Sequence, residues 1–252
     1  MITSVEGAGS PGAAEPPGGT GSPVAAAART LRRDAAENRA RLLRAAAEVL
    51  AEHGGDASVD EIARRAGVGM GTLYRRFPTK DDLIAALADE MKSAMLERVM
   101  RIADEESDGD ALAACLWTMA ADMAPRRGYL KLLWPALTAG GDQRRVRLWR
   151  VIDDLLARAQ RAGTVRADLT LTDVYLCTIS LRALMDETAD PDPDMWRRYL
   201  ELLLAAFRPS STPLGYPPAD DSLIEKRIQA PLYDPGSPRD TVDERATRQP
   251  GA

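Results

Sequence analysis

The fold of this chain is decided by residues 58–77, which read SVDEIARRAGVGMGTLYRRF. Apolar residues recur here at three- and four-residue spacing, which is typical of short helices that bury one face. Ala63 is small enough to let a second helix cross closely, and Gly67, four positions later, tolerates the positive φ of a tight turn. Val68 can anchor that turn, and Leu73 can pack back on the first helix. Together these residues predict a helix-turn-helix, and the rival interpretation is a helical hairpin within a plain bundle.

The sequence around this motif predicts further helices. A first helix has an apolar stripe and ends at Gly54, which supplies a left-handed cap. Ser58 and Glu61 have the spacing of a capping box at the start of the second helix, and Thr79 is placed to cap the fourth. The predicted helices cover residues 34–52, 58–66, 70–76, 80–102, 108–122, 126–139, 142–162, 170–189 and 194–207. No segment alternates with a period of two, so we predict an all-α fold of about nine helices without a sheet.

Composition divides the chain into folded and unfolded parts. Residues 1–28 are rich in Gly, Pro, Ala and Ser, and residues 209–252 combine many prolines with alternating charges. Neither segment offers enough apolar surface to offset chain entropy, so we predict two disordered tails. The folded part is expected to consist of a helix-turn-helix domain over 29–80 and a second helical domain over 81–208.

Charge is distributed unevenly along the chain. The formal net charge is −5, which taken alone argues mildly against a nucleic-acid partner. Between Arg29 and Lys80, however, eleven basic residues face seven acidic ones. A segment with an excess of positive charge is where phosphate contacts are expected.

Cysteine usage and hydropathy bear on the compartment. Cys115 and Cys177 lie in apolar helical stretches, with no second Cys or His at metal-ligand spacing. We therefore predict two buried, reduced thiols and no metal site. No apolar run reaches the roughly 20 residues that span a bilayer, and the N-terminus lacks the basic region of a secretion signal. The sequence predicts a cytoplasmic protein without a membrane partner.

The residues that catalysis requires are scarce. His53 is the single histidine, and the chain has no phosphate-binding glycine loop and no nucleophile elbow. Asp153 and Asp154 could do acid–base work, but adjacent residues on a helix point apart. We predict that the protein is not an enzyme and uses no cofactor.

Residues 67–83 resemble the recognition-helix signature of the tetracycline-repressor (TetR) family, and the matching pattern extends over about 34–95. A weaker resemblance, in 155–169 and 196–200, is to the C-terminal domain of SbtR-like members. The resemblance implies a homodimeric transcriptional repressor that binds a palindromic operator in double-stranded DNA and is released by a small-molecule effector. An activator or global regulator of the same family stays open, as does a helical protein-interaction module without DNA binding.

The resemblance also implies which residues meet DNA. The third helix would enter the major groove, and base edges would be approached by Gly69, Met70, Gly71 and Thr72. Phosphates would be bound by Ser58, Tyr74, Arg76 and Lys80. Met70 and Gly71 have no side-chain group that can hydrogen-bond a base. Base discrimination would then rest on Thr72, on apolar contacts with thymine methyl groups, or on Arg75.

For the C-terminal domain, the resemblance implies an effector pocket within 108–185 and a dimer interface formed by the last two helices, 170–189 and 194–207. Candidate pocket walls are Trp117, Met123, Trp134, Trp149 and Tyr175, together with Met119, Leu133, Leu137, Ile152 and Met185. Each of these side chains could equally belong to the plain core. The fourth helix, 80–102, would link the pocket to the DNA-binding domain.

Overall fold

A computed structural model describes residues 23–188 and 192–218. Over these residues the chain forms nine α-helices and no strand, as the sequence predicted. The helices are α1 (Pro23–His53), α2 (Val59–Ala66), α3 (Met70–Arg76), α4 (Lys80–Glu105), α5 (Ala111–Met123), α6 (Arg127–Leu137), α7 (Gln143–Arg161), α8 (Leu171–Glu187) and α9 (Met195–Ala206). Two short 3-10 helices cover Gly54–Asp56 and Ala124–Arg126.

The described residues divide into two units at the boundary between Ala40 and Arg41. In the first unit the described residues are helical from Pro23 onward, so the prediction of disorder was wrong for 23–28. The run of four alanines at 25–28 gives the reason, because alanine has the highest helix propensity. Residues 1–22 of the predicted tail lie outside the described residues.

The second unit contains the predicted helix-turn-helix. Its core combines buried residues of α1, α2 and α3 with residues of α4 and α6. These include Leu42, Leu43, Ala46, Val49, Leu50, Ile62, Ala63, Leu73, Phe77, Leu83, Leu87, Tyr129 and Leu133. The apolar stripe predicted for the first helix is therefore buried, and α6 contributes two buried side chains to the core of the helix-turn-helix.

The turn between α2 and α3 has the predicted geometry. Gly67 adopts a left-handed conformation with φ +66°. Its N–H donates to the carbonyl of Arg64 at 3.2 Å, and the N–H of Val68 donates to the carbonyl of Ala63 at 3.0 Å. These two bonds satisfy carbonyls that the helix end leaves unpaired, and they stop α2 where α3 must begin.

Two of the helix starts differ in how they are capped. Thr79 accepts a hydrogen bond from the N–H of Asp82, and Asp82 accepts one from the N–H of Thr79, so the predicted cap of α4 is a complete capping box. Ser58 occupies the N-cap of α2, but its side chain makes no capping hydrogen bond. The capping box predicted for Ser58 and Glu61 was therefore wrong. Glu61 is instead engaged by Arg65, which lies at 2.9 Å.

A second core lies among α4, α5, α7, α8 and α9, and Ile152, Leu155 and Trp196 are among its most deeply buried side chains. The thiols of Cys115 and Cys177 are free and buried within it. Burial raises the pKa of Cys115 to about 12 and that of Cys177 to about 11, because a thiolate would lose its hydration.

The end of the described chain, 209–218, contains no helix, and 219–252 of the predicted C-terminal tail lie outside the described residues. Within the part of the chain that the structure describes, no helix has both the length and the apolar character needed to cross a bilayer.

Candidate DNA-binding surface and effector cavity

The third helix buries one side and exposes the other. Leu73 points into the core with 1% of its surface exposed, whereas Tyr74 is 48% exposed. Arg75 and Arg76 are exposed beside it. The exposed face of α3 thus combines an aromatic ring with two guanidinium groups, which is a surface suited to phosphate groups.

The start of α3 has little side-chain bulk on its exposed side. A Cβ atom added at Gly69 or Gly71 would meet nothing within 4 Å, so the protein itself does not require glycine at either position. Thr72 is half-buried, and Met70 is half-buried and packs against the helix-turn-helix core. Backbone here can be approached closely from outside, as a base edge in a groove would require.

The cations near α3 differ in what holds them. In the described part of the chain, Arg75 and Arg76 make no hydrogen bond or ion pair. Lys80, by contrast, donates to the carbonyls of Gly55 and Ala57 at 2.7 and 2.8 Å. Its ammonium group therefore fastens the start of α4 to the loop before α2, and has one further donor for a phosphate.

A compact ion-pair network joins the end of α1 to α2. Arg65 donates to both carboxylate oxygens of Glu52, at 2.5 and 2.7 Å, and to Glu61 at 2.9 Å. His53 lies 3.6 Å from the second carboxylate oxygen of Glu61. Ligand atoms of Glu52, His53 and Glu61 lie within 4.8 Å of one another, but the Arg65 guanidinium already binds both carboxylates. Its hydrogen bonds lower the pKa of Glu52.

A cavity of about 130 Å³ lies among α4, α5, α6, α7 and α8. Four of the five leading candidates from the sequence line it, namely Met123, Trp134, Trp149 and Tyr175. The rings of Trp149 and Tyr175 meet edge to face, with centroids 5.2 Å apart. The guanidinium of Arg182 covers the ring of Trp134 at 4.8 Å from its centroid. The structure thus brings aromatic residues from three helices to one cavity.

Trp117 does not line this cavity. Its ring packs edge to face on Trp196, with centroids 5.7 Å apart, at the border of the second core. Of the other candidates, Met119 and Leu137 line the cavity, whereas Leu133, Ile152 and Met185 are core residues.

The sequence did not single out several residues that line the cavity. Met91, Lys92 and Met95 come from α4, outside the predicted pocket segment, and Arg144 and Arg145 come from the start of α7. The repeated spacing of four, in Met91 with Met95 and in Met119 with Met123, is the signal that could have indicated a shared methionine wall.

Lys92 and Arg144, two cations of the cavity wall, belong to a group of four charged residues. Asp142 accepts from the backbone N–H of Arg144 at 2.9 Å and caps α7. The Asp142 carboxylate lies 2.5 Å from Lys92 and 2.8 Å from Arg144, and both cations also contact Asp89. Hydrogen bonds from Arg144 hold the pKa of Asp142 well below its usual range.

The fold and this surface define a class of protein: a helix-turn-helix DNA-binding module joined to an all-helical domain with a cavity. Residues 42–87 match the sequence model of bacterial regulatory proteins of the tetR family, and 107–209 match that of the SbtR-like transcriptional regulator C-terminal domain. The chain belongs to the TetR family of transcriptional regulators.

Solved structures and curated proteins agree with this assignment. The chain is 32% identical to a TetR regulator of Mycobacterium vanbaalenii, with TM-score 0.54 over 71% of this chain and 99% of that one. It is 30% identical to a TetR regulator of Streptomyces coelicolor, with TM-score 0.53 over 69% and 99%. Among curated proteins, it is similar to the nucleoid occlusion factor SlmA of Marinomonas sp. (strain MWYL1), 30% identical over 46% of this chain and 61% of that protein. An uncharacterized HTH-type regulator of Mycobacterium bovis is 40% identical over 35% of this chain and 47% of its own length. The chain thus spans only about half the length of these curated relatives.

Proposed function

We propose that this TetR-family regulator is a cytoplasmic homodimeric repressor, which leaves its operator when a small-molecule effector occupies the cavity. The observation that carries the proposal is the exposed face of α3. This short helix exposes an aromatic ring and two guanidinium groups, and its first turn contains glycines with open space around them.

Recognition of DNA would use two kinds of contact. The exposed face of α3 would bind phosphates or base edges through Tyr74, Arg75 and Arg76. At the start of α2, the hydroxyl of Ser58 makes no capping hydrogen bond and would bind a phosphate. The bare backbone at Gly71 would let α3 sit close to base edges. Base readout by side-chain hydrogen bonds would then be limited to a few positions, with shape contributing the rest.

A homodimer is supported by exposed apolar side chains on α8 and α9. Leu176 is 52% exposed and Leu202 is 53% exposed, whereas Val174, Leu181 and Leu200 of the same helices are buried in the chain's own core. Exposed leucines on two helices that pack together favour a four-helix interface with a second copy. The two recognition helices of the dimer would then bind DNA half-sites about one helical turn apart, roughly 34–36 Å.

Helix α6 offers a route from the effector to DNA. Tyr129 and Leu133 lie in the helix-turn-helix core, while Leu130 and Trp134 line the cavity. Helix α4 is divided in the same way, with Leu87 in that core and its next turn at the cavity. A ligand that displaced Trp134 would therefore move a helix that also packs under the DNA-binding domain, and so would shift the population toward a form with mismatched half-site spacing.

Transcription in vitro from a promoter carrying the operator tests the proposal. The operator is first selected by the purified protein from random DNA, then placed over the promoter. A repressor lowers transcript yield in proportion to operator occupancy. A rise in yield would instead identify an activator, and failure to select any sequence would favour an interaction module.

A further inference from the structure

The cavity contains a charged group that an ordinary apolar pocket does not need. Arg145 is only 6% exposed and lines the cavity from the first turn of α7. Its guanidinium donates to the carbonyl of Thr138 at 2.9 Å, and the hydroxyl of Tyr175 and the carboxylate of Asp142 also act on it electrostatically. Burial lowers the pKa of Arg145, because the charged form loses hydration in the cavity wall.

The nearby carboxylates also bind other cations. Asp142 lies between Lys92 and Arg144, within 2.5 and 2.8 Å of them. Asp122, the acidic residue among the lining side chains, is bound by Arg98 and lies 3.0 Å from Arg126.

The oxygens that Thr138 and Tyr175 present to Arg145 are neutral. A bound anion would add a full negative charge to the neutral oxygens that already face this guanidinium. In a cavity wall with little water, such an interaction is strong and poorly screened.

Much of the remaining cavity wall is apolar. Four methionines of α4 and α5, one tryptophan each from α6 and α7, and three leucines belong to it. Thioether side chains adapt to ligands of irregular shape, and indole rings offer flat apolar surface. A ligand for this cavity therefore needs an apolar part beside one negative group.

We propose that the effector is an amphipathic organic carboxylate, whose carboxylate pairs with Arg145 while its apolar body lies among the methionines and tryptophans. This inference rests on the proposed function, because it names the chemistry of the molecule that would enter the same cavity. A guanidinium can hold a carboxylate through two parallel hydrogen bonds, which also fixes the ligand's orientation. The hydroxyl of Tyr175 lies beside the same group and can donate a third.

Isothermal titration calorimetry on the full chain tests the pairing. The probes are straight-chain carboxylates from butanoate to dodecanoate and 1-naphthaleneacetate, each matched with its neutral alcohol or amide. At least one carboxylate should bind about tenfold tighter than its neutral partner, the ratio expected when one charge-assisted interaction is absent.

Three variants locate the effect. Arg145→Met keeps most of the length of the side chain and removes its charge, so the preference for the carboxylate should vanish while neutral probes bind as before. Arg145→Lys should retain part of the preference. Arg150→Met, at an exposed position of the same helix, should change neither. Circular dichroism of each variant checks the fold. The comparison of carboxylates with neutral probes on the wild-type chain does not depend on any variant.

The inference is overturned if neutral probes bind as tightly as carboxylates, if the preference survives in Arg145→Met, or if no carboxylate of the series binds. These outcomes are independent of DNA binding, which is measured separately with the selected operator. A protein that binds its operator but ignores every carboxylate keeps the proposed function and loses this inference. A protein that binds carboxylates but no DNA keeps this inference about the ligand and loses the proposed function.

Discussion

At the scale of single residues, two helix starts that look alike in sequence have different roles. Thr79 closes a capping box on α4, whereas the hydroxyl of Ser58 makes no capping bond on α2. One hydroxyl therefore stabilises the fold, and the other is open to a partner.

Replacing each hydroxyl separates these roles. Thr79→Ala should lower the free energy of unfolding by about 1 kcal/mol, the usual cost of losing an N-cap side chain. Ser58→Ala should leave that free energy nearly unchanged and weaken operator binding. Urea denaturation and fluorescence anisotropy measure the two effects. Equal destabilisation by both changes would contradict the different roles of the two caps.

Gly71 allows a second test at this scale. Since an added Cβ meets nothing within 4 Å, Gly71→Ala should raise stability by about 0.5–1 kcal/mol through the better helix propensity of alanine. The same methyl group would separate α3 from a base edge, so operator affinity should fall. A variant that is more stable and binds the operator with unchanged affinity would show that the bare surface does not face DNA.

The sequence was sufficient for the turn but not for every cap. The positive φ of Gly67 and the packing of Leu73 follow from local spacing, which is why they were predictable. The cap at Ser58 depends on a competition that spacing does not show. Arg65, one turn after Glu61 and also bound to Glu52 of α1, takes the carboxylate that a capping box would have used.

At the scale of elements, the charged group around Asp142 fixes the start of α7 against α4. The pKa of this carboxylate is lower in the folded state than its ordinary value of 3.8. Its ion pairs therefore stabilise the protein when the pH is above that ordinary value. That stability is lost as the pH falls through the folded-state pKa, when the carboxylate takes up a proton.

Asp142→Asn isolates the charge, because asparagine can cap a helix as well as aspartate. At neutral pH the variant should melt about 2–4 °C lower, which corresponds to about 1 kcal/mol in a chain of this size. The difference should shrink as the pH is lowered below about 4. Scanning calorimetry across that range is the measurement, and a difference independent of pH would argue against the ion pairs.

Helix positions were largely predictable, and the cavity was predictable only in part. Apolar periodicity and glycine or proline boundaries placed each helix from α2 to α9 within a few residues. Arg145 was overlooked because arginine is normally a surface residue. It lies four positions before Trp149, on the face that α7 buries. This helical spacing was the sequence signal that could have indicated its burial.

At the scale of the whole molecule, the proposed dimer depends on α8 and α9. Leu202→Glu should convert the dimer to monomers, because a carboxylate would be buried in an apolar interface. Leu214→Glu is the matched control, since Leu214 is equally exposed, at 54%, but lies beyond α9. Sedimentation velocity gives the oligomeric state. If the Leu202→Glu protein remains dimeric, the interface lies elsewhere.

DNA binding by the exposed face of α3 is tested most directly by the salt dependence of binding to the selected operator. Fluorescence anisotropy is measured for the wild-type chain and for the double variant Arg75→Gln with Arg76→Gln. We predict that the wild-type chain binds the operator saturably and that its affinity falls steeply with salt. The double variant should bind more weakly, and its log–log slope should be smaller by about one for each phosphate that it no longer binds. A double variant with the affinity and the slope of the wild-type chain would contradict DNA binding by this face.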